Sequence, residues 1–128
     1  MDLKVDIQPL HPDGSQRVRI GGRLDTHSYG WLDDRLALVL ASPVKALILD
    51  LGHLEYVSSA GVRSVFRTRR LLASRGGKLV LANVQPQVQK VFDIVKAVPL
   101  SEIFKSVADA DAYLDTIQRK ILRGSDED

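Results

Sequence analysis

The chain of 128 residues contains no cysteine. That excludes disulfides, thiolate metal sites and cysteine nucleophiles, and fits a reducing, cytoplasmic setting. No apolar run approaches the roughly 18 residues that suggest a membrane span. The first ten residues, MDLKVDIQPL, lack the basic start and long apolar stretch of a secretory signal, so none is expected. Recognisable catalytic motifs are missing as well. There is no glycine-rich phosphate loop with its lysine, and no G-x-S-x-G. His11, His27 and His53 are scattered over loops and element ends, and no His/Asp/Glu cluster has metal-ligand spacing. Neither an enzyme nor a bound metal or cofactor is expected. Aromatic residues make up only 5% of the chain and none interleaves the arginines, so a base-stacking surface for nucleic acid is not expected either.

One further absence is local. Between Tyr56 and Phe92 there is no Asp or Glu, although the net charge is only +2. Arg63, Arg67, Arg69, Arg70, Arg75, Lys78 and Lys90 all fall in that stretch, so the middle of the protein should present a positive face. The chain ends acidic, in GSDED.

What is present is ordinary globular material: 45% hydrophobic and 27% charged residues, in a length that suits one domain with one core. LKVDI at 3–7 alternates apolar and polar, HPDGSQ supplies turn residues, and RVRI resumes the alternation, which predicts an antiparallel hairpin. GGRLD then breaks the pattern. From about His27 to Leu40 the apolar residues Trp31, Leu32, Leu36, Val39 and Leu40 recur at helical spacing, with Trp31 assigned to the core, and Pro43 stops the run. KALILDL at 45–51 reads as a central strand covered on both faces. A second helix starts at Ser58 or Ser59 and stops before Gly76-Gly77. Its buried stripe is Val62, Val65, Phe66, Leu72 and Ala73, its flank Arg63, Arg67 and Arg70, and Arg69 leans toward the apolar side. KLVLAN is another strand. A third helix has Pro86 in its first turn and buries Val88, Val91, Phe92 and Val95. SEIFK suggests a short edge strand, and the last helix, opened by Ser106, carries Ala110, Leu114, Ile117 and Ile121. The order β-β-α-β-α-β-α-β-α argues for an α/β fold whose sheet has parallel crossovers after the opening hairpin, flanked by about four helices.

In such folds, ligands gather where strands end and helices begin. Ser58 and Ser59 lie there. Serine is a favoured helix cap, because its oxygen accepts an N–H left unpaired in the first turn. One cap needs one serine, however, and here are two. Gly61 removes a side chain from the same turn, which permits a close approach to the backbone. The free N–H groups and dipole of a helix start also favour negative charge. A phosphate on Ser59 would sit well there, with Arg63 one turn away.

Four segments carry a resemblance: GGRLDT at 21–26, LILDLGHLEYVSSAGVRSV at 47–65, GGKLVLANVQPQVQKVFDI at 76–94 and LSEIF at 100–104. Together they resemble a STAS domain, and most of all the stand-alone bacterial anti-sigma-factor antagonists. The resemblance implies a mixed sheet flanked by helices over residues 1–122, leaving 123–128 as an acidic, disordered tail. It also implies a partner switch in the cytoplasm. Family members bind an anti-sigma factor that is a serine kinase, phosphorylation of a serine at the start of the second helix ends the binding, and a PP2C-type phosphatase restores it. The family pattern there is commonly Asp-Ser-(Ser/Ala/Thr)-Gly. Set against Gly61, the phosphorylated position falls on Ser59, with Ser58 as second choice and standing where many members have Asp. Asp25 matches an acidic position near the phosphosite. The resemblance thus implies a partner surface of Asp25, Ser58, Ser59, Gly61, Arg63 and Arg67 on a monomer or weak dimer, with no membrane or direct nucleic-acid contact. Two other roles fit the same family: a scaffold subunit that is not phosphorylated, and a nucleotide-binding module.

Overall fold

Asp13 and Gly14 turn the chain where the sequence predicts a turn. The Ser15 amide and hydroxyl both donate to the Asp13 carboxylate, at 2.9 and 2.7 Å, and Gly14 takes a positive φ of 90°. Two antiparallel strands flank the turn, β1 (Lys4–Ile7) and β2 (Ser15–Leu24). The computed structural model describes residues 2–124, so the last four residues of the acidic tail lie outside the described part. After the hairpin come α1 (Tyr29–Leu40), β3 (Ala46–Val57), α2 (Ser59–Ala73), β4 (Lys78–Ala82), α3 (Pro86–Ala97), α4 (Leu100–Ile103) and α5 (Val107–Leu122). The sheet order is β1-β2-β3-β4, with β2–β3 and β3–β4 parallel. This is the mixed sheet expected from the sequence, with five helices among the described residues.

Four details differ from the sequence reading. SEIFK is not a strand: Leu100–Ile103 form the single helical turn α4, which Pro99 opens. GGRL does not end β2. The strand runs through it to Leu24, with register irregularities at Arg19/Gly21 and Gly22/Arg23 where β3 carries extra residues. β3 is covered fully on one face only. Leu47, Leu49 and Leu51 are completely buried, whereas the alternate Ala46, Ile48 and Asp50 are half-buried. Arg17 and Arg19 on β2 reach Asp50 on that second face, at 3.0 and 4.0 Å. Trp31 is 51% exposed, because the buried side of α1 is set by Leu32, Leu36 and Val39.

One core joins the inner sheet face to the helices. Ile20, Leu24, Leu32, Leu36, Leu54, Leu72, Phe92 and Leu114 are all at most 2% exposed, and each such side chain contributes about 1.5–3 kcal/mol by leaving water. α2 buries Val62, Val65 and Leu72 as expected, with Phe66 half-buried, Ala73 exposed, and Ser64 and Thr68 added to the buried side. Gly76 ends the helix in a left-handed conformation. Arg75 has a structural use. Its guanidinium donates to the carbonyls of Leu40, Ser42 and Val44 and pins the loop between α1 and β3.

The edge of β3 bears on the site. β4 pairs with β3 only from Ala46 to Asp50, so the later half of β3 has no strand on that side. Glutamine amides take its place. Gln85 Nε2 donates to the Gly52 carbonyl at 2.8 Å, and Gln87 Nε2 to the Glu55 carbonyl at 3.0 Å. Gln118, on α5, does both jobs of a strand residue. Its Oε1 accepts from the Val57 amide at 3.0 Å and its Nε2 donates to the Val57 carbonyl at 2.9 Å. Gln87 and Gln118 are buried, and these bonds meet the rule that buried backbone polar groups be paired.

Candidate functional site

The site is the junction of β3 and α2. Val57 closes the strand, and the Ser58 amide continues the ladder by donating to the Leu24 carbonyl at 2.8 Å. Ser58 is extended (φ −98°, ψ 174°), and its Oγ accepts from the Gly61 amide at 3.4 Å, a long cap bond. Its carbonyl accepts from Val62 at 3.0 Å, the first intrahelical bond. Ser58 is therefore the cap and Ser59 the first helical residue. The Ser59 amide donates to a carboxylate oxygen of Asp111, on α5, at 2.9 Å. That bond, to a residue 52 positions away, fills one of the orphan donors of the helix start with a negative charge.

The Ser59 hydroxyl is buried and has no hydrogen-bond partner among the described residues. α4 and the start of α5 stand nearby, across a groove. Ser59 and Arg63 form one side of a groove of about 210 Å³, and Leu100, Ser101, Phe104, Lys105, Ser106, Val107 and Ala110 form the other. Ser106 caps α5 by accepting from the Asp109 amide at 3.1 Å.

The other site residues expected from the sequence lie around this junction in different settings. Gly61 is buried, and a Cβ there would stand 2.6 Å from Leu24 Cγ and 2.9 Å from Val57 Cγ2. The room the glycine leaves is filled by the chain's own core. Asp25 follows Leu24, which is in register with Val57, so it stands beside the end of β3. Its carboxylate accepts from the His27 amide at 2.9 Å and the Ser28 hydroxyl at 3.2 Å, and lies 3.8 Å from Arg23. Arg23 in turn covers the Tyr56 ring at 3.9 Å. Burial, and then the nearby charges of Asp115, Asp111 and Asp25, push the Tyr56 hydroxyl above its ordinary pKa against the opposing effect of Arg23. Arg67 pairs with Asp33 across α1 and α2, so its charge is largely committed. Arg63 is exposed and has no carboxylate within 4 Å among the described residues. Arg69 and Arg70 line a separate hollow of about 280 Å³ with Phe66, Ala73 and Lys96. Arg69 is exposed there and meets no acidic partner among the described residues. His53 and Glu55 are exposed and line another groove, with Lys4, Asp6, Arg19 and Gly21.

Residues 7–110 match the STAS domain. The chain belongs to the STAS domain family. Among relatives of this STAS domain, BtrV of Bordetella bronchiseptica, which bears an anti-sigma factor antagonist name, is 34% identical over 82 residues, covering 64% of this chain and 71% of that protein. The anti-sigma F factor antagonist of Paenibacillus polymyxa is 21% identical over 118 residues, covering 91% and 99%. Among solved structures, unphosphorylated SpoIIAA, an anti-sigma factor antagonist of Bacillus, superposes with a TM-score of 0.60 at 23% identity, covering 71% of this chain and 83% of that one. At that identity the likeness concerns the fold. No helix among the described residues is long and apolar enough to cross a membrane.

Sequence reasoning missed Asp111 and Gln118, two α5 residues that hydrogen-bond the junction. Gln118 had a signal: it extends the line of Ala110 and Leu114 at four-residue spacing, a polar residue on a buried stripe. Asp111 had none, because nothing local marks a carboxylate that meets a helix start 52 residues earlier.

Proposed function

We propose that this STAS domain is an anti-sigma-factor antagonist that binds an anti-sigma serine kinase and is switched off by phosphorylation of Ser59. The observation that carries the reading is the position of Ser59, first residue of a helix at the end of a central strand, with Arg63, unpaired among the described residues, one turn on and in the same groove. The names of the relatives support the antagonist role, and phosphorylated SpoIIAA has been solved in the same fold. In the switch, Ser59 Oγ attacks the γ-phosphorus of kinase-bound ATP, its proton passes to a base of the kinase, and the bond from the γ-phosphorus to the bridging oxygen breaks to release ADP. The product carries about two negative charges at a helix start, which tolerates them, inside a partner interface, which does not. That interface comprises Asp25, Ser58, Ser59, Gly61, Arg63 and Arg67, and a PP2C-type phosphatase resets it by hydrolysis. The protein acts in the cytoplasm as a monomer or weak dimer and catalyses nothing itself.

Incubation with the kinase and ATP, followed by mass spectrometry, tests the site. The expected result is one added phosphate that Ser59→Ala abolishes; uptake unchanged by that substitution refutes the assignment. Ser59→Asp is expected to weaken kinase binding at least tenfold, about 1.4 kcal/mol, by calorimetry. One observation favours the unphosphorylated scaffold instead, namely the burial of the Ser59 hydroxyl. Light scattering separates the two, because a scaffold forms large assemblies and an antagonist stays small.

A further inference from the structure

The unmodified protein already holds an anion at the start of α2. It is the Asp111 carboxylate, 2.9 Å from the Ser59 amide, and it arrives on the helix whose first turns line a groove with Ser59. We propose that α4 and the first half of α5 form a cover over Ser59, latched by Asp111, and that a negative charge on Ser59 expels Asp111 and loosens the cover. This deepens the Ser59 reading and rests on it only for the origin of the charge.

Two independent observations meet here. The first is the latch, a charge-assisted bond between a helix-start N–H and a carboxylate. The second is the Ser59 hydroxyl, sealed from solvent without a hydrogen-bond partner among the described residues, although Ser59 itself borders an open groove. A phosphate built on that oxygen is attached to the same residue whose N–H Asp111 accepts. It can take the N–H itself, and it finds Arg63 and Lys105 on the two sides of the groove. Asp111 cannot stay beside it, because two anions would share one donor. Asp115 lies one turn further along α5, so the repulsion has no relief in that direction, although Arg119 pairs with Asp115. At its far end α5 is held by a different device, the Gln118 amide on the Val57 backbone. The cover should therefore open from its Asp111 end while Gln118 keeps the helix tethered.

The position of the latch has a consequence for access. A kinase must reach an oxygen that the closed cover buries, so only molecules with the cover open are substrates, and Asp111 sets how many these are.

Amide hydrogen exchange on four full-length variants tests this without any kinase, and so independently of whether Ser59 is ever phosphorylated. Ser59→Asp supplies the charge, Ser59→Asn is its neutral counterpart of like size, and Asp111→Asn is made in both the wild-type and the Ser59→Asp backgrounds. Ser59→Asp is expected to speed exchange across residues 107–114 at least tenfold, with Ser59→Asn near wild type and β3 unchanged in all. Adding Asp111→Asn to Ser59→Asp should return the rates to within threefold of Ser59→Asn. Equal exchange in Ser59→Asp and Ser59→Asn overturns the proposal. So does failure of Asp111→Asn to rescue, or acceleration spread equally over β3, which would mean general destabilisation. The phosphorylation assay with Ser59→Ala can fail while this one succeeds, and the reverse.

Discussion

Replacing Gln118 by Leu should reveal how much the fold depends on a side chain that stands in for a strand. Gln118 is 1% exposed and Val57 is fully buried, so no water replaces the lost amide. The Val57 N–H and C=O, now bonded at 3.0 and 2.9 Å, would both be orphaned. Each buried backbone group left unpaired costs about 1–3 kcal/mol, and the apolar gain of the Leu side chain returns about 1 kcal/mol. The expected net loss is thus about 1–5 kcal/mol, a large share of the roughly 5–15 kcal/mol that holds a typical domain. In urea this appears as a midpoint lowered by about 1–3 M at an unchanged slope. The loss has a ceiling, because the molecule can instead release α5 from the end of β3 and let water reach Val57. Hydrogen exchange distinguishes the routes: release of α5 deprotects residues 107–122 and leaves β3 up to Leu54 protected. Gln118→Glu keeps an acceptor for the Val57 N–H but loses the donor to its carbonyl and buries a carboxylate against it, so it should also destabilise at neutral pH. A Gln118→Leu protein within about 0.5 kcal/mol of wild type, with α5 still protected, would refute the edge-strand account.

Gly61→Ala places a Cβ 2.6 Å from Leu24 Cγ in a packed core; overpacking of about 1–3 kcal/mol outweighs the helix-propensity gain of up to about 1 kcal/mol, and urea titration should show a net loss near 1–2 kcal/mol. The Asn83 amide foremost, then the Gly52 N–H and Arg17, hold the Asp50 carboxyl below its ordinary pKa despite partial burial. A depressed folded-state pKa stabilises above the unfolded value and is lost as pH falls through the folded one, so the advantage of wild type over Asp50→Asn should be full near pH 6 and fade below about pH 4. A stability difference that stays flat down to pH 2 would contradict it. Trp31 is half exposed on α1, so its fluorescence should be red-shifted and readily quenched by acrylamide in the native protein; a blue-shifted, protected emission would restore it to the core.

Which parts of this structure were legible in the sequence follows from how local their causes are. The hairpin, the start of α2 at the serine pair and the Pro86 start of α3 each rest on residues within a few positions of one another, and each was readable. The Ser59 position was readable too, because a strand followed by a serine pair and a glycine is a local pattern. Trp31 was misassigned because helical spacing admits it to the stripe, while the actual face is narrower. SEIFK holds an adjacent Ile-Phe pair of strand-forming residues between polar ones, but Pro99 and a short span leave room for only one helical turn. The glutamine edge could not be seen without knowing that β4 has 5 residues and β3 has 12, which leaves a bare strand edge for side chains to cover. Asp111 depends on where α5 docks, which only the assembled core decides.

These two α5 contacts divide the work at the junction. Gln118 satisfies backbone that is buried in every state, so its loss costs stability whatever the modification state of Ser59. Asp111 instead satisfies a donor that a phosphate could satisfy equally well, so its contribution is conditional. A residue of the second kind couples two events. If Asp111 favours the closed cover by about 1.4 kcal/mol, about one molecule in ten is open, and any partner needing the exposed start of α2 binds tenfold more weakly than its contacts alone dictate. By linkage the partner must loosen α5 by the same factor when it binds. Asp111→Asn should then raise the affinity of such a partner for the unmodified chain toward that tenfold limit, while leaving the affinity of Ser59→Asp unchanged. Calorimetry on wild type, Asp111→Asn, Ser59→Asp and the double variant measures this coupling, and an Asp111→Asn effect of equal size in both backgrounds would show that Asp111 touches the partner directly and latches nothing.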